Sequence, residues 1–283
     1  MTHLIVRACA VAILGLGMVS AVWSQGYGGA QQLEPPGAQA PGQPGTPAAP
    51  AGPVVTKEEL DAYNQFVVDA KAASDSRQLI TLGEVFIGLY PNSMYAGAVH
   101  GQLAVAYLAV NQVDKMIDSG EKALAADPNN VDILPLMAWS IPRRVNASTP
   151  NAVQQLEKAV NYARRAINLL STMPKPIEID DAAFAKIKND KLAQCRSGMG
   201  TAYVKTGKYD EAVTELSQAV RLDSNPDPVD YYLLGVANDR TSHFTDAIAA
   251  FDKCAVGGPM QAQCRTLSAE TKRKAQTSLE APR

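Results

Sequence analysis

From Leu60 onward, apolar residues recur every three or four positions, which is the period of an amphipathic helix. This stripe breaks at 74–76, resumes, and stops at Pro91. Thr56 precedes the first stripe, and Glu59 lies three residues after Thr56. This spacing predicts a helix start with a capping box. The pattern therefore predicts two helices joined by a short turn and ended by a proline. The apolar positions are Leu60, Tyr63, Phe66, Val67 and Ala70, then Leu79, Leu82, Phe86 and Leu89.

The unit of helix, turn, helix and proline recurs along the chain. Its clearest copy is AQCRSGMGTAYVKTGKYDEAVTELSQAVRLDSNP, residues 193–226, and the next copy begins at Pro228. Gly200 and Gly235 are 35 residues apart, as are Ala212 and Ala247. A fixed period of this length predicts an architecture built from stacked helical repeats.

The order of a small residue, Tyr, Ala, a large apolar residue, Ala and Pro in these units resembles the tetratricopeptide repeat family. In 193–226 these residues are Gly200, Tyr203, Ala212, Leu216, Ala219 and Pro226. The resemblance covers about 60–259 and implies an all-α fold, an α-solenoid of stacked helical hairpins with a concave side. We expect Gly200 and Ala212 at the closest approach of their two helices, because larger side chains there would separate the helices.

We predict a tetratricopeptide-like repeat domain over residues 56–280, with a C-terminal capping helix at 260–278. Its five units are 60–94, 97–130, 131–175, 193–226 and 228–260. The unit 131–175 is irregular, because its first helix carries Pro135 and is expected to end at Pro142. Thr149-Pro150 predicts the start of its second helix. A lengthened helix is expected to follow, beginning at Asp180-Asp181, where carboxylates favour the helix dipole.

The N-terminal segment has the pattern of an export signal. An uncharged apolar run from Ala8 to Trp23 follows Arg7, and small residues come after it, so we predict a signal peptide at 1–24. Residues 25–55, rich in Pro, Gly, Ala and Gln, are predicted to be a disordered linker. We expect an exported bacterial protein, periplasmic or secreted, with no stable membrane span once the signal is removed. An uncleaved membrane anchor is the alternative.

Charge and composition narrow the class of partner. The formal net charge is −2 and the pI about 6.0, without the basic surface that phosphate neutralisation needs, so no nucleic acid partner is expected. Aromatic residues make up only 6% of a chain rich in alanine, which favours close-packed helices over a β-sandwich. The expected partner is another protein or a peptide.

Candidate chemistry is sparse in the sequence. His100 and His243 have no ligand at metal-binding spacing, and no phosphate loop or nucleophile motif is present. We therefore predict no enzyme activity, no cofactor and no metal. Cys254 would end a helix and Cys264 would begin the capping helix, and in an export compartment the two form a candidate disulfide. The alternative is that both are buried, reduced thiols.

In this family the first helix of each unit lines the concave side, so the resemblance implies a partner-binding groove. The family's inward positions correspond here to Val105, Leu108, Trp139, Thr201, Val204, Tyr232, Val236 and Arg240. The carboxylate clamp of the chaperone-binding branch is absent, because Gly101 and Val105 occupy positions where its first Lys and Asn would be. The expected function is that of an exported adaptor holding a peptide or helix of an envelope or secreted partner. The alternatives are a structural scaffold or self-assembling spacer of an envelope complex, and an envelope enzyme with an unrecognised site.

Overall fold

A computed structural model describes residues 55–280, and these residues form eleven α-helices and no strand. The first six helices are α1 (Lys57–Ala72), α2 (Ser76–Leu89), α3 (Ala96–Ala109), α4 (Val113–Ala126), α5 (Ile133–Arg144) and α6 (Ala152–Ser171). The other five are α7 (Asp181–Lys205), α8 (Tyr209–Leu222), α9 (Pro228–Arg240), α10 (Phe244–Cys254) and α11 (Gln261–Glu280). Consecutive helices from α1 to α10 pair as five hairpins, and α11 packs on α10. The predicted all-α solenoid is confirmed. The predicted signal peptide and, apart from Val55, the predicted linker lie outside the described residues.

Side-chain caps begin several of the helices. The Glu59 amide donates to Thr56 Oγ1 at 3.2 Å at the start of α1, which confirms the N-cap of the predicted capping box, while the Glu59 carboxylate accepts from Ser93 Oγ. Asp180 accepts from the Ala183 amide at 2.9 Å and begins α7, so the lengthened helix starts where the paired carboxylates placed it. Asp227 caps α9, with Pro228 in its first turn. Because these signals are local, the starts of α1 and α7 could be predicted from the sequence.

The turn inside a hairpin has the same backbone form in three units. Asn111, Gly207 and Ser242 each adopt a positive φ, of 58°, 74° and 62°. The amide that follows each of them then bonds back to the preceding helix, as when the Lys208 amide donates to the Tyr203 carbonyl at 2.9 Å. This repeated geometry reverses the chain and sets the first helix of each unit against the second.

Small residues mark the closest helix approaches. A Cβ at Gly200 would overlap the Leu216 side chain on α8, which confirms the tight crossing expected there. Gly235 bears the same relation to Phe251 in the next unit. Between units, a Cβ at Gly198 would overlap the Ala138 carbonyl, because the backbones of α5 and α7 touch at that point. Glycine is therefore required both within a hairpin and between neighbouring units.

The middle unit departs from the sequence prediction at two places. Helix α5 continues through Pro142 to Arg144 instead of ending at the proline. Helix α6 begins at Ala152, after Asn151 in a left-handed conformation with φ 53°, and not at Thr149-Pro150. The Thr149 hydroxyl instead accepts from the Asn146 amide at 2.9 Å in the preceding turn. Thr149 therefore closes the turn before α6 and does not cap the helix.

The units share one continuous core, and their first helices form a common surface. Helix α7 contacts both α5 and α9, so the first helices of the last three hairpins lie side by side. We call the surface presented by α5, α7 and α9 the first-helix face. Within residues 55–280, no helix is both long enough and apolar enough to cross a membrane.

Candidate functional site

An arginine on α5 ties together the first-helix face. Arg143 Nη2 donates to Asp230 Oδ1 on α9 at 3.0 Å and to Ser197 Oγ on α7 at 2.9 Å. The Ser197 hydroxyl also donates to Asp230 Oδ1 at 2.6 Å, and Asp227 lies 3.8 Å from the same guanidinium nitrogen. One charged group therefore links three successive units through side chains that lie mostly inside the protein.

The carboxyl at the centre of this cluster is deeply buried. Asp230 is 5% exposed, and burial raises its pKa above the usual value, although the Arg143 guanidinium and the Ser197 hydroxyl pull it down. Desolvation of a carboxylate is costly unless its oxygens are paired. The Arg143 guanidinium and the Ser197 hydroxyl both donate to Asp230 Oδ1 and supply this pairing, so the cluster is first of all a structural tie.

Trp139 lies beneath this cluster. The Arg143 guanidinium carbon is 4.1 Å from the centre of the Trp139 ring, and Arg143 Nη1 donates to the Trp139 carbonyl at 3.2 Å. One face of the indole is thus covered by an arginine of its own helix. Trp139 supports the first-helix face and is only partly exposed for a ligand.

Lys205 lies near Arg143 at the end of α7. Its Nζ donates to the carbonyl of Val145, the residue that follows the end of α5. Burial lowers the pKa of the Lys205 ammonium, and repulsion from Arg143 lowers it further. A cation in this position gains from any carboxylate that approaches it.

Three of the predicted groove residues converge on one cavity. Tyr232, Val236 and Arg240 of α9 line an open cavity of about 600 Å³ between α9, α10 and the capping helix α11. The Tyr232 hydroxyl accepts from Gln263 Nε2 of α11 at 3.1 Å, which ties the capping helix to the rim. A cavity of this size fits one or two side chains of a ligand.

The remaining predicted residues lie elsewhere. Val105, Leu108 and Val204 are half-buried and pack against the core. Thr201 is 3% exposed, and its hydroxyl donates to the Ser197 carbonyl at 2.8 Å, so the structure places it in the core instead of on the groove. A family position alone therefore does not give exposure here.

The cavity also contains residues that the sequence analysis did not single out. They are Asp239, Phe244, Phe251, Gln263, Leu267 and Lys274. Lys274 Nζ is paired with Asp239 at 2.5 Å. A signal for Lys274 was available, since it follows Arg240 by 34 residues, close to the repeat period. It was missed because the capping helix was treated only as a solvated end.

A second cavity of about 450 Å³ lies beside the loop between α5 and α6. Asp114 and Ile117 of α4 form one wall, and Arg144 and Gln155 are among the residues opposite. Arg144 Nε and Asp114 Oδ1 are 2.8 Å apart, so an exposed ion pair crosses this cavity. None of the predicted groove residues lines it.

The three cysteines within the described range have different surroundings. Cys254 and Cys264 are joined as a disulfide with their Cα atoms 5.9 Å apart, between the end of α10 and the first turn of α11. Cys195 is a buried free thiol, and burial raises its pKa to about 12. Within residues 55–280 no cluster of three or more His, Cys, Asp or Glu side chains could hold a metal ion.

Stacked helical hairpins with a shared first-helix face define a helical repeat protein. Residues 193–226 match the family model described as tetratricopeptide repeat. This match confirms, for that repeat, the family resemblance drawn from the sequence. Comparison with curated protein sequences gives no match.

Comparison with solved structures gives several matches. The crystal structure of YrrB, described as a TPR protein with an unusual peptide-binding site, is 18% identical and covers 76% of this chain and 88% of its own, with a TM-score of 0.45. MamA from Desulfovibrio magneticus RS-1 is 14% identical, with coverages of 71% and 95% and a TM-score of 0.46. PilW, described as a type IV pilus biogenesis factor, is 14% identical, with coverages of 81% and 96% and a TM-score of 0.46.

Proposed function

We propose that this chain is an exported adaptor whose first-helix face holds a peptide or a helix of an envelope or secreted partner. The observation that carries the proposal is the convergence of Tyr232, Val236 and Arg240 on one open cavity. An aromatic ring, an aliphatic side chain and a guanidinium around one cavity supply the anchor types that dominate protein interfaces. Tetratricopeptide folds are typically non-catalytic interaction scaffolds, and the proposal assigns no reaction to the chain.

Export is part of the proposal and rests on the sequence pattern of residues 1–24. A disulfide between Cys254 and Cys264 fits an oxidising compartment, because thiols in a reducing cytosol rarely stay paired. Fractionation of cells expressing the full chain, with mass determination of its N-terminus, tests this part separately. We expect the protein in the envelope or the medium with residues 1–24 removed. Cytosolic protein that retains Met1 contradicts export.

Partner capture tests the groove. The full chain is crosslinked in cells, and the protein recovered with it is identified and quantified for three forms of the chain. We expect Tyr232→Ala to lose most of the partner, while Arg221→Ala, an exposed position on the second helix α8, retains it. Equal recovery with both variants contradicts the groove. A concentration-dependent oligomer in light scattering, with no partner recovered, favours the scaffold or self-assembling spacer instead.

A further inference from the structure

Basic residues recur at one position along the solenoid. Lys205 and Arg240 are 35 residues apart, and Lys274 follows Arg240 by 34. Lys205 and Arg240 lie in the last turns of α7 and α9, Arg143 lies in the last turn of α5, and Lys274 faces the cavity from α11. The repeat period therefore places Lys205 and Arg240 at the same position of successive units, with Arg143 near the end of the first helix of the unit before them and Lys274 on the capping helix after them.

Of these four basic residues, only Arg143 and Lys274 pair with a carboxylate in the described part of the chain. Arg143 is paired with Asp230, and Lys274 is paired with Asp239. Lys205 and Arg240 have no carboxylate within ion-pair distance in the described part of the chain: Lys205 bonds a backbone carbonyl, and Arg240 lies over the Tyr209 ring at 5.9 Å. The two middle cations are thus left with uncompensated charge.

An ordinary role for such residues is to complement the helix dipole at a C-terminus. Arg221 at the end of α8 illustrates that role, since it is exposed and lines neither cavity. Lys205 instead reaches across to the end of α5, and Arg240 borders a cavity. These placements give Lys205 and Arg240 a second use, as contacts for an anion.

The cavity beside Arg240 has an apolar side. Val236, Phe244, Phe251 and Leu267 contribute to its lining. Arg240 and Lys274 are the cations at its border, and Asp239, which is paired with Lys274, is the carboxylate there. An apolar recess next to a cation without a carboxylate partner suits an apolar ligand side chain with an acidic neighbour. The charge of the chain as a whole is negative, so this local surplus of positive charge is not a general property of the surface.

We propose that this cavity takes an apolar side chain of an extended acidic peptide, whose carboxylates contact Arg240 and Lys205. The inference rests on the proposed function and specifies its partner. Packed helices lie about 8–10 Å apart, and residues three apart in a polyproline II peptide lie on one side about 9 Å apart. Acidic residues at that interval therefore match successive first helices. The contacts use last-turn residues at the C-terminal end of the array, where the carboxylate clamp of the family has no counterpart.

The test uses labelled peptides and the full chain without its signal. One probe peptide carries a leucine followed by two glutamates three residues apart in a proline-rich background, and the matched probe has glutamine at both acidic positions. Binding is followed by fluorescence anisotropy at two salt concentrations. We expect the glutamate peptide to bind at least about tenfold more tightly, since a charged hydrogen bond contributes about 1.5–3 kcal/mol. We also expect its affinity to fall as salt rises.

Variants locate the contact. Arg240→Gln should weaken the glutamate peptide about tenfold and leave the glutamine peptide unchanged, while the control Arg221→Gln changes neither. Circular dichroism establishes that both variants remain folded. Equal binding of the two peptides, or an Arg240→Gln protein that binds as the parent does, overturns the inference. Tighter binding of a peptide copying residues 25–54 also overturns it, because the occupant is then the chain itself.

Failure here differs from failure of the proposed function. If capture of a partner depends on Tyr232 but the glutamate and glutamine peptides bind equally well, only the inferred specificity for acidic peptides is contradicted. If neither Tyr232 nor Arg240 affects any binding, the groove as a whole is excluded.

Discussion

Arg143 and Asp230 are 87 residues apart in sequence, and their side chains meet at 3.0 Å inside the first-helix face. The pair joins the third hairpin to the fifth and passes over α7, which contributes the Ser197 hydroxyl to the same carboxylate oxygen. In a solenoid most contacts involve adjacent units, so a tie that spans three units couples the stability of units that would otherwise behave more independently.

This relationship predicts a large cost when one partner is removed. Asp230→Leu leaves the Arg143 guanidinium without its carboxylate, and we expect the free energy of unfolding to fall by about 3–5 kcal/mol. Adding Arg143→Met removes the stranded charge and should recover most of that loss. Urea denaturation followed by circular dichroism measures both. A double variant as unstable as the single one would show that the charge pairing is not the cause.

The sequence allowed the hairpins to be predicted because their signals are local. Gly200, the apolar stripes and the caps at Thr56 and Asp180 each act within one turn or one unit, and the structure places them as expected. The Arg143–Asp230 pair could not be predicted, because no spacing within a unit relates the two residues.

Thr201 was misplaced for a different reason. Its position was taken from the family pattern, but its side chain is 3% exposed and lies about one turn after Gly198, where the backbones of α5 and α7 touch. Whether a family position lies at the surface depends on packing between units, and the sequence of a single unit does not contain that information. The cavity beside Arg240 was partly predicted, since Tyr232, Val236 and Arg240 were named while the wall from the capping helix was not.

Two glycines give a matched test of that close approach. A methyl group at Gly198 would overlap the Ala138 carbonyl, so Gly198→Ala must separate α5 from α7 and should destabilise the protein by about 1–3 kcal/mol. Gly88 is exposed on α2 with nothing within 4 Å of an added Cβ. Gly88→Ala should instead stabilise by about 0.5 kcal/mol through helix propensity. Thermal unfolding of the two variants compares them, and effects of the same sign would contradict this account.

His100 predicts a specific pH dependence. Burial lowers the pKa of its imidazole below the usual 6.5, and Lys122 lowers it further, while Asp118 opposes the shift. The unfolded chain then binds a proton more readily than the folded one. Stability from this group is complete above pH 6.5 and is lost as the pH falls through the lower folded-state pKa. Denaturation midpoints measured below pH 6.5 should fall less steeply for His100→Gln than for the parent. An unchanged slope would assign the pH effect to other groups.

The disulfide gives a prediction about the capping helix. Cys254 and Cys264 close a loop with a sequence separation of 10, for which the chain-entropy model gives about 2–3 kcal/mol of stabilisation. Replacing both with serine should remove that amount. Because the disulfide holds the start of α11 against α10, we expect the lost stability to appear as faster amide hydrogen exchange in α11. The amides of α3 to α8 should remain protected. Reductant should lower the parent to the same stability and leave the variant unchanged, since Cys195, the cysteine left in the described part of the variant, is already a free thiol. If reductant also destabilises the double-serine variant, another group must be responsible. If exchange rises equally in every helix, α11 unfolds together with the whole array and does not act as a separable cap.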